Sequence, residues 1–250
     1  AELSYVVTTG NSESNTLGFK NGLSGHWGKS SFEFKAGGVR AESATGARRA
    51  VGTLTDFDVI EPPKQLSAES YFANVNYGRH VSERVLWSVG GGWDRNRFAG
   101  IDNRYMATAG FATQWFDRDN LKYRTDYAAT YTREEDLVEV PGTRKSFAGV
   151  RIASDLMKGF ATNAKYGNTT IVDENLDETT DLRVNMTNSL SVAINKRLAL
   201  KVSLQWLYDH QPSFVRLELE NPPGTKTGTF VDAQLDTLDS IFNASLVMNF

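Results

Sequence analysis

The chain has 250 residues, no cysteine and a formal net charge of −3 at pH 7. The absence of cysteine excludes disulfide frameworks and thiolate chemistry, and the weak negative charge provides no general attraction for nucleic acid. No run of about eighteen apolar residues is present, which argues against a helical membrane protein, and 21 glycines against 6 prolines suit a sheet with many tight turns.

Apolar and polar residues alternate through most of the chain. Side chains at successive positions of a strand point to opposite faces, so a period of two predicts strands with one apolar and one polar face. In chain order, the apolar faces carry Leu3, Tyr5, Val7; Leu17, Phe19, Leu23, Trp27; Phe32, Phe34, Ala36; Tyr71, Ala73, Val75, Tyr77; Val85, Trp87, Val89, Gly91, Trp93; Tyr105, Ala107, Ala109, Phe111, Thr113, Trp115; Leu121, Tyr123, Thr125, Tyr127, Ala129, Tyr131; Ala148, Val150, Ile152, Leu156; Phe160, Ala164, Tyr166; Leu182, Val184, Met186, Leu190, Val192, Ile194; Leu198, Leu200, Val202, Leu204, Trp206, Tyr208; and, in the closing strand, Phe242, Ala244, Leu246, Met248, Phe250.

Short turns and longer connections alternate between these predicted strands, which number about twelve. The short turns fall near positions 28, 82, 118, 158 and 196, and the longer connections are 42–67, 98–102, 133–144, 173–180 and 211–237. The hairpin turn at 10–13 is an exception because it is short. The alternation places the short turns at one end and the long loops at the other, as in bacterial outer-membrane barrels. We expect 42–67 and 211–237 to be exposed outer loops.

Charged residues avoid the apolar faces within the strands. A charge that faces lipid at the bilayer midplane costs about 2 to 4 kcal/mol, whereas a charge in a hydrated lumen does not. The sequence therefore predicts these lumen-lining residues: Glu33, Lys35, Lys122, Arg124, Asp126, Arg151, Asp155, Lys165, Asp181, Arg183 and Lys201.

These patterns predict an all-β fold, a single transmembrane antiparallel up-and-down β-barrel of about twelve strands over residues 1–250. Aromatic residues near strand ends, such as Trp27, Trp93 and Trp206, support this prediction because their rings favour the membrane interface. The alternative is a soluble β-sandwich or a lipocalin-like barrel, which would have an apolar interior and a polar exterior.

The last predicted strand, 238–250, ends on an aromatic residue. Its apolar face carries Phe242, Leu246, Met248 and Phe250. This strand resembles the closing strand of bacterial outer-membrane barrels, which carries their assembly signal. We expect the strand that contains Leu3 to pair with it and close the barrel.

The opening AELSYVVTTGNSESNTLGFKNGLS carries Gly10-Asn11-Ser12 between the first two strands and Thr16-Leu17-Gly18 soon after. It resembles the domain of unknown function 481 family, whose members are described as salt-induced outer-membrane proteins. The resemblance implies a barrel in the outer membrane of a Gram-negative envelope and brings no catalytic residues. Ala1 is then expected to be the first residue of a mature form whose export signal has been removed.

Few residues suggest catalysis or metal binding. His210 lies between Asp209 and Ser213, which invites a Ser/His/Asp hypothesis, but no nucleophile-elbow context surrounds them. The acidic segments 134–139 and 173–178 carry oxygen ligands for a divalent cation but lack the spacing of a calcium loop, so solvated charge is the preferred interpretation. We expect no enzymatic activity, no cofactor and no nucleic-acid partner.

The leading hypothesis is a narrow channel for small polar or ionic solutes, linked by the family resemblance to salt or osmotic response. The alternative is a closed structural or partner-binding barrel without transport activity. About eight strands give a filled barrel and about sixteen an aqueous channel, so a count of twelve leaves the pore undecided. The expected partners are outer-membrane lipid and lipopolysaccharide, the barrel-assembly machinery during biogenesis, and an envelope protein.

Deletion of Phe250 tests the interpretation of the last strand. We expect the deletion to impair barrel assembly far more than any transport step, because the terminal aromatic residue is interpreted as an assembly signal. The measurement is the amount of folded protein in isolated membranes. Unchanged levels of the folded deletion variant would contradict the interpretation.

Overall fold

The computed structural model describes residues 2–8, 14–44, 49–52, 57–60, 64–139, 145–195, 197–223 and 225–248. This part of the chain forms strands and one short 3-10 helix, at Arg97–Ala99. The strands are β1 (Glu2–Thr8), β2 (Ser14–Trp27), β3 (Ser30–Ala44), β4 (Arg49–Gly52), β5 (Phe57–Ile60), β6 (Lys64–His80), β7 (Val85–Asn96), β8 (Ile101–Arg118), β9 (Leu121–Asp136), β10 (Ser146–Gly159), β11 (Ala164–Asn175), β12 (Leu182–Ala193), β13 (Leu198–Asp209), β14 (Phe214–Glu220), β15 (Lys226–Gln234) and β16 (Leu238–Met248).

Twelve of these strands form one closed antiparallel barrel. Its order is β1-β16-β13-β12-β11-β10-β9-β8-β7-β6-β3-β2, so each barrel strand lies beside the next barrel strand of the chain. Leu3 of β1 pairs with Leu246 of β16, and this pairing closes the ring. The predicted up-and-down barrel and the predicted closing pair are both confirmed.

The connections alternate as the sequence predicts. Short turns join β2 to β3, β6 to β7, β8 to β9, β10 to β11 and β12 to β13, all at one end of the barrel. We call this the turn end, and the opposite end the loop end. The turn predicted at 10–13 lies outside the described residues.

The two connections expected to be exposed loops are not irregular throughout. In the segment 42–67, β3 continues to Ala44, β6 begins at Lys64, and β4 pairs with β5 between them. In the segment 211–237, β14 and β15 form a second hairpin. Two acidic segments interpreted as loops also begin as strand, because β9 runs to Asp136 and β11 to Asn175.

Large apolar side chains cover the outer surface of the barrel. Leu23, Phe111 and Phe242 are 65%, 59% and 69% exposed. A soluble protein of this size would bury such residues, whereas a barrel in a bilayer presents them to lipid. The alternative of a soluble sandwich or lipocalin-like barrel is therefore wrong. No helix in the described part of the chain is long and apolar enough to cross a membrane.

Glycine allows close strand packing on the inner face of β7. A Cβ atom on Gly90 would lie 2.1 Å from Oδ1 of Asn76 on β6 and 2.9 Å from Oγ1 of Thr108 on β8. Any larger residue would displace these polar side chains. Glycine is required at position 90 because the side chains of Asn76 and Thr108 occupy the space beside it.

The adjacent residues Val75 and Asn76 offer a matched test of the two faces. Val75 is 42% exposed on the outer face, and Asn76 projects inward against Gly90. We expect Val75→Arg to lower the free energy of unfolding by about 2 to 4 kcal/mol, because the charge must enter hydrocarbon. Asn76→Arg, which places the same charge in the lumen, should cost much less. Denaturant titration in lipid vesicles measures both, and equal costs would contradict the assignment of the faces.

Candidate functional site

An ion pair across the interior identifies the inner face of the barrel. Glu134 lies on β9 and Arg183 on β12, with β10 and β11 between them in the wall. The Arg183 guanidinium donates to both carboxylate oxygens of Glu134, at 2.5 and 3.2 Å. Neighbouring strands lie about 4.8 Å apart, so side chains separated by two intervening strands can meet only through the lumen.

Glu134 also connects to the wall on its other side. It accepts a hydrogen bond from Arg104 of β8 at 3.4 Å. Arg104 in turn donates two hydrogen bonds to the carboxylate of Asp94 on β7, at 3.1 and 2.9 Å. Such bidentate guanidinium–carboxylate contacts fix the orientation of both groups.

Arg183 contacts two further carboxylates near its own strand. It donates to Asp181 at 2.9 and 3.2 Å and lies 3.4 Å from Asp209 on β13. Its side chain is 18% exposed and that of Glu134 10%. The lumen network, as we name it, consists of Asp94, Arg104, Glu134, Asp181, Arg183 and Asp209.

The wall below the lumen network is closely packed. Arg151 of β10 donates to Asp173 of β11 at 2.6 and 2.8 Å, and the Arg183 guanidinium lies 5.9 Å from the ring centre of Phe147. Phe147, Asp173 and Arg183, with Thr130 and Thr132, border a cavity of about 20 Å³. That volume holds about one water molecule, so this side of the lumen is filled by protein.

The hairpin β14–β15 is attached across the loop end. Ser213, just before β14, donates a hydrogen bond to Asp136 of β9 at 2.9 Å. A Cβ atom on Gly100, which has a φ of 76°, would lie 2.4 Å from Cβ of Ser213. Gln211 donates to Thr180 in the β11–β12 connection at 2.7 Å. The base of the hairpin therefore bridges opposite sides of the rim.

Ion pairs also hold the hairpin together beyond the rim. A hydrogen bond from Lys226 lowers the pKa of Glu218, and one from Arg216 lowers the pKa of Asp232. A lowered folded-state pKa means that the stabilisation is present above the ordinary carboxyl pKa and is lost as the pH falls through the lowered value. Both pairs are solvent-exposed, so this contribution is small.

Most of the other predicted lumen-lining residues form local pairs nearer the turn end. Lys35 lies 2.8 Å from Glu33, and Lys122 lies 3.1 Å from Asp117. Arg124 donates to Asp126 at 3.0 Å. These groups are not brought into the lumen network. Their role in lining a conducting lumen remains a prediction.

The remaining predicted residues lie on the same inner face. Thr169 donates to Asp155 at 3.0 Å. Lys165 and Lys201 lie on either side of Ser191 in the strand register. Of the predicted set, the structure joins only Asp181 and Arg183 in the lumen network, while Arg151 packs beside it.

The exposure of inner residues differs along the barrel. Near the loop end of β9 to β12 the inner residues are buried: Thr130 at 8%, Thr132 at 3%, Asn175 at 9% and Asp181 at 6%. The following inner residues are solvent-exposed instead: Lys35, Asn74, Asn76, Asp155, Lys165 and Thr169. On β9 to β12 the lumen is thus narrow at the loop end, while the inner residues nearer the turn end of β10 and β11 are exposed. Inner residues are also buried in the turn-end halves of β7, β8, β13 and β16, namely Leu86 at 7%, Ala112 at 2%, Ala199 at 8% and Ser245 at 7%.

Sequence reasoning missed four members of the lumen network. Asp94, Arg104 and Asp209 are not among the predicted lumen-lining residues, and Glu134 falls in the predicted connection 133–144. The alternation of the seventh predicted strand in fact continues past Thr132 through Glu134 to Asp136. That continuation was a signal that β9 extends and that Glu134 points inward.

The residues of the catalytic hypothesis, Asp209, His210 and Ser213, do not form a Ser/His/Asp triad. The Ser213 hydroxyl donates to Asp136, while Nδ1 of His210 lies 2.9 Å from the hydroxyl of Tyr208. In the described residues, no group of three or more acidic or histidine side chains converges as a metal site. Glu134 and Asp173, from the two acidic segments, are held by arginines.

The residues proposed as an assembly signal lie on the outer face of β16. Phe242 is 69% exposed, Leu246 42% and Met248 38%. Phe250 lies outside the described residues. The role of these residues in assembly remains a prediction.

Substitution of Glu134 tests the lumen network. Glu134 accepts hydrogen bonds from both Arg104 and Arg183, and a hydrogen bond to a charged group contributes about 1.5 to 3 kcal/mol. We expect Glu134→Gln to lower the free energy of unfolding by at least about 2 kcal/mol, measured by denaturant titration. The control Glu33→Gln breaks a pair whose side chains are 44% and 48% exposed and should cost less than about 1 kcal/mol. Equal losses would show that the crossing pair has no special role.

The fold can be compared with known structures. The NanC porin in a rhombohedral crystal form has a TM-score of 0.52 and 9% identity, over 100% of this chain and 98% of that chain. The KdgM porin in complex with disordered oligogalacturonate has a TM-score of 0.45 and 8% identity, over 100% and 99%. An anion-selective porin from Comamonas acidovorans has a TM-score of 0.37 and 11% identity, over 96% and 90%. The likeness to NanC shows a shared barrel fold.

Sequence comparison identifies the family. The comparison with curated proteins gives no match. The model of the family described as "Protein of unknown function, DUF481" matches residues 1–217, so the resemblance seen in the opening residues is confirmed. The chain therefore belongs to the DUF481 family.

Proposed function

We propose that this protein is an outer-membrane barrel that acts as a narrow channel for small polar or ionic solutes. The observation that carries the proposal is the polar inner face, which holds solvent-exposed residues on the β3–β6 wall and narrows to the lumen network at the loop end. Solutes would meet the least space at the Glu134–Arg183 pair.

The composition of the inner face favours hydrated solutes over apolar ones. Lys35, Asn74 and Asn76 are exposed on the β3–β6 wall, so water can occupy the space beside them. A path along this wall would bypass the filled side near Phe147.

The charges at the constriction suggest a weak preference for cations. The lumen network contains four carboxylates, Asp94, Glu134, Asp181 and Asp209, against two guanidinium groups. Rings of charged side chains at the narrowest point are the usual determinant of ion selectivity. The acidic excess is small, so we expect selectivity to be modest.

A closed structural or partner-binding barrel is the second candidate. The cavity of about 20 Å³ beside Phe147 and the attachment of Ser213 to Asp136 favour it, because both reduce the passage at the loop end. The two candidates differ in a single measurable property, the conductance of the folded barrel.

The cellular setting is also part of the proposal. The apolar outer surface fits insertion among outer-membrane lipid and lipopolysaccharide, after export and removal of a signal segment and with help from the barrel-assembly machinery. A link to salt or osmotic response rests on the family resemblance alone. An envelope protein partner belongs with the closed-barrel candidate.

Conductance in planar bilayers tests the channel. We expect purified wild-type protein to give small single-channel steps. The double variant Glu134→Ala/Arg183→Ala should raise the step size roughly twofold or more, because it removes the narrowest side-chain contact without changing the net charge. The control Glu33→Ala/Lys35→Ala makes the same change in the wide region and should leave the step size nearly unaltered.

The outcomes separate the two candidates. A silent wild type with a conducting Glu134→Ala/Arg183→Ala variant would show a barrel closed by the lumen network. Silence of both folded proteins across salt and voltage would exclude the channel and leave the structural barrel.

A further inference from the structure

Three aromatic rings form a continuous group at the turn end of the barrel. Trp27 is the last residue of β2, Tyr77 lies three residues before the end of β6, and Trp87 is the third residue of β7. The ring centres of Trp27 and Tyr77 are 6.3 Å apart, and those of Tyr77 and Trp87 are 5.7 Å apart. Tyr77 lies two positions from Val75 and Trp27 four positions from Leu23, so the aromatic group, as we name these three residues, belongs to the outer face.

Contacts with the barrel wall fix the orientation of the aromatic group. The Tyr77 hydroxyl lies 2.9 Å from Oγ of Ser30, which is the first residue of β3. A Cβ atom on Gly25 would lie 3.6 Å from the Trp27 ring, so this ring rests against the backbone of its own strand. The aromatic group is therefore a preformed surface.

An arginine lies beside the aromatic group on the same face. Arg79 is two positions after Tyr77 on β6, is solvent-exposed, and pairs with Ser30 and Trp87 in the strand register. No carboxylate of the described residues forms an ion pair with it. Arg79 is one residue from the end of its strand, which places its guanidinium at the depth of the lipid headgroups.

The free polar groups of this surface are hydrogen-bond donors. In the described part of the chain, the indole N–H groups of Trp27 and Trp87 and the guanidinium of Arg79 have no hydrogen-bonding partner. Indole and guanidinium groups donate hydrogen bonds and cannot accept them. The ligand that fits them must present several acceptors and a negative charge, and a phosphate group has both properties.

The neighbouring turns add positive charge. Lys29 lies in the β2–β3 turn, and its carbonyl oxygen accepts a hydrogen bond from the N–H of His80 at 2.8 Å, so this turn adjoins the end of β6. Glu83 and Arg84 lie in the β6–β7 turn. The cations around the aromatic group, Lys29, Arg79 and Arg84, therefore outnumber the single carboxylate of these two turns, that of Glu83.

Other cations and tryptophans at the turn end lack this combination. The Arg118 guanidinium, at the end of β8, lies 5.7 Å from the ring centre of Phe116, and the Trp115 indole donates to Thr125 at 2.8 Å. Lys158, near the end of β10, is exposed, but neither of its register neighbours is a tryptophan. An unpaired guanidinium beside two free indole N–H groups therefore occurs, among the described residues, only at the aromatic group.

Polar side chains on β11 and β12 contact one another on the outer face. The Tyr166 hydroxyl donates to the Asn188 carbonyl oxygen at 2.6 Å, and the Asn168 amide donates to the same oxygen at 3.0 Å. Thr170 donates to Asn168 at 3.2 Å. These residues carry no charge, so they provide no attraction for an anionic headgroup.

We infer that Arg79 and the aromatic group form a binding site for the headgroup of an anionic phospholipid. The guanidinium donates to the phosphate oxygens, for which its planar geometry is suited, and the net positive charge of the two turns favours an anionic over a zwitterionic headgroup. The inference rests on the proposed membrane setting and not on conductance.

The surroundings of the site select a lipid over a soluble anion. Val75 lies two positions from Tyr77 towards the middle of the barrel, and Val89 lies two positions from Trp87 in the same direction. They are 42% and 43% exposed on the outer face. A ligand with its phosphate at Arg79 therefore has an apolar surface directly beside it, which acyl chains cover and inorganic phosphate does not.

Native mass spectrometry of the purified barrel with phosphatidylglycerol in mild detergent tests the site. We expect wild type to retain a single phosphatidylglycerol molecule and to retain phosphatidylcholine much more weakly. Arg79→Gln should weaken retention of phosphatidylglycerol about tenfold, because charge-assisted hydrogen bonds to phosphate are lost. Arg118→Gln and Lys158→Gln remove a charge from the same end of the barrel and should change retention less than about twofold.

Several results would overturn the inference. Equal losses in all three variants would show a diffuse attraction to the basic rim, and equal retention of phosphatidylcholine would exclude an anionic site. Displacement of the lipid by inorganic phosphate would show a site for a soluble anion. A folded barrel that inserts into vesicles but retains no phosphatidylglycerol would exclude the site alone, whereas failure to insert would contradict the membrane setting as well.

Replacement of the indole groups provides a second test. Trp27→Phe/Trp87→Phe keeps aromatic rings at both positions and removes the two N–H donors, so we expect phosphatidylglycerol retention to fall about fivefold. Trp115→Phe is the matched control, because its indole already donates within the barrel, and it should leave retention unchanged. Heat-dependent gel migration verifies that each variant is folded. Unchanged retention in the folded double variant would show that the indole groups do not bind the headgroup and would overturn the site as described.

Discussion

The pairing of every backbone hydrogen-bonding group within the sheet is the constraint from which the rest of this structure follows. Hydrocarbon cannot satisfy a free N–H or C=O group, so a sheet that crosses a bilayer must close on itself. Here the first and last strands meet at Leu3 and Leu246. Closure then fixes two surfaces, one against lipid and one around a lumen, and each residue of a barrel strand belongs to one of them.

The inner surface shows how side chains occupy the lumen of a twelve-stranded barrel. Twelve strands enclose more space than apolar side chains from one face would fill, and less than an unobstructed pore needs. On one side of the lumen, charged side chains fill the available space. Arg183 reaches Glu134 across two intervening strands, whereas Lys35, Asn74 and Asn76 on the β3–β6 wall remain solvent-exposed. The two walls therefore differ in how closely their inner side chains are packed.

Sequence periodicity predicted the barrel well because closure, alternation and turn length are local properties. The parity of Leu17 and Phe19 follows from a period of two, and turn positions follow from where that period breaks. The crossing contact could not be predicted in the same way. Whether Glu134 meets Arg183 depends on the curvature of four strands and on side-chain length. The alternation of apolar and polar residues predicts neither. The amides at 168 and 188 were passed over because single polar residues do not alter a strand's overall pattern.

The lumen network and the paired amides of Asn168 and Asn188 on the outer face show the same requirement for hydrogen-bonding partners. A polar group in a membrane barrel needs a partner, and inside the lumen water or an opposite charge provides one. Asp94 and Glu134 each form an ion pair with Arg104, so their charges are compensated within the barrel. In the described part of the chain, the amides of Asn168 and Asn188 form hydrogen bonds with each other, with Tyr166 and with Thr170. The lumen network extends from Asp94 on β7 to Asp209 on β13, and the two amides lie on β11 and β12, so this wall carries fixed polar contacts on its inner and on its outer face.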